Sequence, residues 1–294
     1  MTPPVPLPEA LRVTHEAMHT TFTLHLIGEN RQLAAEVARE CFDLLDNLEG
    51  KLSRFLDGSD VFRINRLRAG ETLYLSEPCH QCLLLAMQAC TQTGGLFDIT
   101  VGTRIEHLKS GAAGLLPPLA GRLIIHPDVA AITCEIPGRE IDLGGIGKGF
   151  ALDQMRDLLL DWGLGGALLA AGASTLLAVG PQPWPVALAG GLTARQLALT
   201  NQALSASGTD VQGAHIVHPS GEDPKPVYLS NRVWAVASTA TLAEAWSTAL
   251  MLMDPDEVTA AIAEQATLLQ AYAELNGKVE VLKPSASCSG TSPH

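Results

Sequence analysis

The amino-acid sequence predicts an α+β fold of mixed, mostly antiparallel sheets with packed helices. Three observations carry this. Helical and strand-like stretches interleave without the strict strand–helix–strand alternation of a parallel sheet. Leu123 to Ile136 and Ala167 to Val179 each read as two strands joined by a short turn. Of the 294 residues, 47% are hydrophobic and 17% charged, which supplies a large core. No repeat of fixed period is visible.

Taken in order, residues 1–12 are proline-rich and read as a flexible leader. Thr14 to Gly28 alternates, with Phe22, Leu24 and Leu26 on one face, and reads as a strand. Arg31 to Leu52 places Leu33, Val37, Cys41, Leu44, Leu45 and Leu48 at helical spacing. Ser76-Glu77-Pro78 opens a second helix that runs through Gln92, and Gly102 to Pro118 is loop-rich. Gly149 to Trp162 reads as a helix ending at Gly163, and the pair from Ala167 to Val179 breaks at Gly172. Trp184 to Ala189, Gln196 to Leu199, His215 to Val217 and Val233 to Ala237 are further strand candidates. Thr241 to Met253 is helical. Asp254-Pro255-Asp256-Glu257 starts another helix, with Asp as N-cap, Pro at N1 and Glu at N3, running to about Leu269. A last strand spans Lys278 to Leu282, and the Ser/Pro-rich residues 284–294 read as a disordered tail. Residues 13–283 are thus expected to form one domain.

The net charge of −12 and pI near 5.1 argue against nucleic acid and anionic membranes as partners. Aromatics are sparse at 4%, which also disfavours base stacking. Trp162 to Ala194 carries no charge, but its glycines and the PQPWP segment interrupt any continuous apolar span of about 20 residues. Buried strands and turns are expected there, with no transmembrane segment. Cys79-His80-Gln81-Cys82 has redox or half-zinc-site spacing, yet no second pair follows. A helix start with core-facing cysteines is the expectation. The opening MTPPVPLPEALRV shows no basic region and no apolar stretch of a secretory signal. A cytoplasmic location is expected, with an exported mature form left open.

The ten residues from Ile141 to Phe150, IDLGGIGKGF, place four glycines and a lysine after an acidic residue. Bare backbone N–H groups beside a cation suit a phosphate. The segment fails the Walker A spacing, because Asp142 stands where glycine is needed and Gly149 follows Lys148. It also fails the dinucleotide fingerprint, whose third glycine is Phe150 here. A phosphate cradle and a tightly packed strand-to-helix turn both remain open. Lys148 opposes the helix dipole at a helix start, which suggests a nearby anion. Glu244, Ser247 and Thr248, at i, i+3 and i+4, share one helix face.

GGLFDITVG (Gly94 to Gly102), DLGGIGKG (Asp142 to Gly149), ALSASG (Ala203 to Gly208), HIVHPSG (His215 to Gly221) and AEAWSTALM (Ala243 to Met251) occur in this order. With AMHTTF (Ala17 to Phe22) and LSRFLDGSDVFRIN (Leu52 to Asn65), they resemble the FAD:protein FMN transferase family, the ApbE-like flavin transferases. The resemblance runs from about Val13 to about Asp254. It implies an ApbE-like fold and transfer of FMN from FAD to a Ser or Thr hydroxyl of an acceptor flavoprotein subunit or domain, releasing AMP. It implies Mg²⁺ as neutraliser of the pyrophosphate, which suits a hard cation held by few carboxylates. Glu244 and Thr248 match the family's metal ligands, with Ser247 beside them and the Gly145 carbonyl completing the set. Lys148 would pair with a phosphate, and Asp142 would contact the cofactor or cap the glycine turn. His215 matches the family's likeliest base. Phe55 would stack on the flavin or pack in the core. Met18, Leu96, Phe97, Asp98 and Ile216 match other cofactor-lining positions, Asp98 as an acceptor for the adenine amino group.

The chain departs from the pattern at four places. Glu244 stands for Asp, His218 for the Asp of H-I-I-D-P, Gly147 for Ala, and Thr209-Asp210 for an acidic-aromatic pair. Glu244 displaces its carboxylate by about 1.5 Å, one C–C bond. Two further readings therefore stand beside transfer. One is an FAD-binding protein with impaired catalysis; the other is an FAD pyrophosphatase giving FMN and AMP.

Overall fold

The computed structural model describes residues 10–28, 30–112, 114–209, 216–220 and 230–283. It begins with a hairpin where one strand was expected. β1 (Leu11–Ala17) and β2 (Thr20–Leu26) pair antiparallel around a turn at Met18 and His19. Leu11 and Arg12, expected in the leader, lie in β1. Met18 and His19 have φ of 49° and 59°, the left-handed values that a two-residue type I′ hairpin needs. Neither residue carries the usual Asn-Gly signal, so alternation alone reads straight through the turn.

α1 (Arg31–Leu52) is capped by Asn30, whose side chain accepts the Leu33 N–H, and it buries Val37, Cys41, Leu45 and Leu48 as their spacing predicts. α2 (Asp60–Ile64) and β3 (Thr72–Tyr74) follow. α3 (Glu77–Gln92) buries Cys79 and Cys82. Burial pushes the Cys79 thiol up to about 12 and Cys82 well above its usual value, so neither is a ready nucleophile or metal ligand.

Gly102 to Pro118 is not all loop: Gly102–Lys109 is helix α4. Its start is pinned to the chain just ahead of the Ile141–Phe150 turn, where Val101 and Glu140 form an isolated parallel bridge. Gly102 N–H donates to the Glu140 carbonyl, and a Cβ at Gly102 would lie 2.7 Å from that oxygen. β4 (Arg122–His126) and β5 (Ala131–Ile136) complete a small sheet in the order β3-β5-β4.

Then come α5 (Gly147–Asp161), β6 (Ala167–Ala171), β7 (Thr175–Val179), β8 (Trp184–Ala189), β9 (Ala194–Leu199), β10 (Ala203–Gly208) and β11 (Arg232–Ala237). α6 (Ala240–Leu252), α7 (Pro255–Glu264), β12 (Leu268–Leu275) and β13 (Lys278–Lys283) close the chain. α7 has the expected capping box but stops at Glu264, not near Leu269. From Leu268 the chain pairs with β11 instead. β10 carries little strand signal in the sequence, because its small residues, ALSASG, have low strand propensity. Ile216 and Val217 are not in a strand, and His215 lies outside the described residues.

Eight strands form one antiparallel sheet in the order β1-β2-β6-β7-β10-β11-β12-β13. α1, α5 and α6 cover one face, with α3 packed on α1 and α6, and Phe22, Leu24, Leu169, Leu177, Val233 and Ala235 join the main core there. The β8–β9 hairpin covers the other face, with Trp184, Leu188 and Leu199 against Leu204, Trp234, Val236 and Tyr272. Central strands are therefore buried on both sides, which explains their uncharged sequence. Among the described residues no helix is long and apolar enough to cross a membrane.

Candidate active site

A cavity of about 860 Å³ opens where the β1–β2 turn, the end of α1, the Asp142–Lys148 turn, β10 and α6 meet. Its size is at the upper end of small-molecule sites. Met18, Phe55, Leu96, Phe97, Asp98, Asp142, Gly145, Lys148, Ile216, Glu244, Ser247 and Thr248 all line it. These are all the candidate site residues except His215, which lies outside the described residues. Arg54, Lys109, Lys148 and Arg232 also line it, against Glu49, Asp98, Asp142 and Glu244. An acidic chain is thus locally balanced in charge at this place.

The glycine turn is built by local constraints. The Asn65 side chain brackets the Ile141 peptide, accepting its N–H at 2.7 Å and donating to its carbonyl at 2.9 Å. One Asp142 carboxylate oxygen accepts the Gly144 N–H at 2.8 Å, and the other accepts from Arg54 at 3.0 Å. Asp142 is therefore the cap of the turn as well as a cavity wall. Arg54 also donates to Glu140 at 2.8 Å and to the Gly102 carbonyl at 3.1 Å. Its place in the LSRF motif was visible in the sequence, but nothing there marked its partners, which lie 48 to 88 residues away.

As a phosphate cradle the turn is largely filled by the protein itself. Gly147 N–H donates to Leu143 at 2.7 Å, and Gly149 N–H to the Glu244 carboxylate at 2.9 Å. Gly149 is glycine for packing: a Cβ there would fall 2.4 Å from the Ala240 carbonyl oxygen, where α5 crosses the start of α6. Asp153 of α5 in turn accepts the N–H groups of Ala240 and Thr241, both at 2.9 Å. The two helices thus cap each other, α5 receiving Glu244 and α6 receiving Asp153. Burial raises the Asp153 carboxyl above its usual value, against the pull of the Thr241 and Ala240 bonds and Arg156.

Glu244 is only 3% exposed. Besides Gly149, it accepts from the Thr175 hydroxyl at 2.7 Å and pairs with the Lys148 ammonium at 3.2 Å. Lys148 also donates to the Gly144 carbonyl at 3.2 Å. The anion that the awkwardly placed lysine called for is Glu244. Ser247 donates to the Glu244 carbonyl and shares hydroxyl contacts with Ser207 and Ser205. Thr248 Oγ1 lies 3.4 Å from the place a Cβ on Gly145 would take.

Gly145, Thr248 and Glu244 fit a hard divalent cation. They present a carbonyl-bearing glycine with no side chain in the way, a hydroxyl and a carboxylate. Glu244 Oε2 carries only the Gly149 N–H, so a lone pair remains on it. Among the described residues no group of three or more His, Cys, Asp or Glu could hold a metal, so any such ion would need oxygens from its ligand.

At the cavity rim, Phe55 is 58% exposed and so is not a core residue. The Arg54 guanidinium sits 5.6 Å from its ring centre, and the His19 ring meets it edge-on at 6.1 Å. Asp98 accepts from the Thr100 N–H and hydroxyl, both at 2.7 Å, and pairs with Arg139 at 3.1 Å. An adenine amino group would have to share a carboxylate that already has these partners. Arg104 holds the segment after His215 by donating to the His218 and Pro219 carbonyls, both at 3.0 Å.

Residues 18–273 match the ApbE family. The chain belongs to that family. A curated ApbE-family relative, the FAD:protein FMN transferase of Klebsiella pneumoniae, is 24% identical over 298 aligned positions, covering 90% of this chain and 84% of the relative. The flavin transferase ApbE from Vibrio cholerae superposes with a TM-score of 0.77 at 20% identity, over 95% of this chain and 97% of that one. The apo flavinyl transferase ApbE of Pseudomonas stutzeri gives 0.78 at 22%, over 92% and 94%. The expected α+β ApbE fold is thus the fold observed.

Proposed function

We propose that this chain transfers FMN from FAD to a Ser or Thr hydroxyl of an acceptor protein and releases AMP. The observation that carries the reading is the convergence of twelve candidates from six separate stretches of the chain on one cavity large enough for a dinucleotide. The names of the relatives support the same activity.

In this reading the acceptor oxygen bonds to the FMN phosphorus, and the bond from that phosphorus to the AMP-side bridging oxygen breaks. The acceptor's proton goes to His215, the proposed base. Positioning and charge neutralisation are the main demands of such a step. Lys148 reaches back to the glycine turn at the Gly144 carbonyl, and Asp142 and Arg54 hold that turn in shape. Gly145, Glu244, Ser247 and Thr248 form the wall that would hold Mg²⁺. Bound there, the ion would offset pyrophosphate charge. A flavin ring at Phe55 and a pyrophosphate near Lys148 is the corresponding placement of FAD.

One observation favours a second reading. Glu244 already pairs with Lys148 and accepts from Thr175 and Gly149, so an ion would have to compete for it, which suits a protein that binds FAD but turns it over poorly. Incubation with FAD, with and without Mg²⁺ and an acceptor domain bearing a D-x-x-[ST]-G-A-[ST]-like segment, separates the readings by mass spectrometry. An acceptor gaining one FMN only with Mg²⁺ supports transfer. FAD bound and intact supports the second reading, and free FMN with AMP supports hydrolysis.

A further inference from the structure

We propose that His19 is a positioning residue for the flavin ring, forming with Phe55 a two-ring jaw at the cavity rim; this rests on the transferase reading above. The backbone supplies the first reason. Met18 and His19 both hold left-handed φ, 49° and 59°. Such values suit glycine or asparagine best in a two-residue hairpin turn; histidine tolerates them, at some backbone cost. Strain held at a cavity wall points to a role for the side chain that holds it.

The turn is also clamped. Glu49 accepts the Met18 N–H at 2.9 Å. On the other side, Gly172 donates its N–H to the Thr21 carbonyl at 2.9 Å, and a Cβ on Gly172 would lie 2.5 Å from the Thr20 hydroxyl oxygen. The hairpin tip is therefore fixed against β6–β7, and His19 cannot swing away with it.

The ring geometry supplies the third reason. His19 meets Phe55 at an interplanar angle of 75°, while Arg54 approaches the Phe55 ring at 5.6 Å. These neighbours set the orientation of an exposed ring in a chain with only 4% aromatics. A planar heteroaromatic ring stacked on Phe55 would meet the imidazole edge from the side. An isoalloxazine fills that space and offers carbonyl and nitrogen acceptors along its rim; the AMP half of FAD lies beyond the jaw.

The variant His19→Gly tests this without endangering the fold, because glycine relieves the left-handed turn. Binding of FAD and of ADP to the full chain is measured by calorimetry, with the visible circular dichroism of bound flavin. An edge contact between rings predicts FAD affinity lower by about three- to tenfold. The flavin dichroism should change, ADP affinity should stay constant, and the melting temperature should rise. Unchanged FAD affinity and dichroism, or equal losses for FAD and ADP, would overturn the assignment. Wild-type protein that binds ADP but no FAD would overturn the transferase reading, and the jaw with it.

Discussion

Gly149 and Glu244 show how single residues acquire two duties. The sequence offers Gly149 as bare backbone for a phosphate; in the fold that backbone donates to Glu244 and lies against the Ala240 carbonyl. Gly149→Ala should therefore cost about 1–3 kcal/mol through overpacking against the Ala240 carbonyl. A urea titration checks it; an unchanged midpoint would mean that α5 and α6 can separate freely. Glu244→Ala would strand the Gly149 N–H and the Thr175 hydroxyl and remove the Lys148 partner. The expected cost is about 1–3 kcal/mol, together with loss of any Mg²⁺-dependent gain in FAD affinity. Thermal melts and calorimetry read the two effects apart. The sequence displayed Glu244 at the right spacing from Thr248. It could not display Thr175, 69 positions away, whose hydroxyl fixes the carboxylate.

At the scale of elements, local signals held where the cause was local. Asn30 caps α1, and the Asp254–Glu257 box caps α7, both as their residue order dictates. α4 and β12 are not legible in the sequence because pairing, not propensity, decides them: Gly102 is tied to Glu140, and Leu268 onward to β11. The first hairpin carries a pH signature. His25 faces Arg12 across the β1–β2 register, and burial first, then that guanidinium, lowers its pKa from 6.5. Well above 6.5 neither folded nor unfolded chain protonates His25, so its contribution is whole. As pH falls below 6.5 the unfolded chain takes up the proton first, and stability is lost until the folded pKa is passed. His25→Gln should flatten the drop in urea midpoint between about pH 7 and 5. An equal drop in both proteins would assign the acid sensitivity elsewhere.

Across the whole molecule, the eight-stranded sheet buried on both faces gives the cavity its rigid back wall, and α6 delivers Glu244, Ser247 and Thr248 to it as a unit. A ligand that binds only the folded state must stabilise all of it. FAD at a hundredfold its dissociation constant should raise stability by about 2.7 kcal/mol, and a melt unaffected by FAD would contradict a preformed site. The sequence by itself determined the α+β class, most helices and strands, and the family, because periodicity, caps and ordered motifs are written along the chain. Only the tertiary structure decided that Lys148 faces Glu244, that Gly149 seats one helix on another, and that His19 stands opposite Phe55. Those are contacts between segments far apart in sequence, and their distances exist only once the sheet has brought them together.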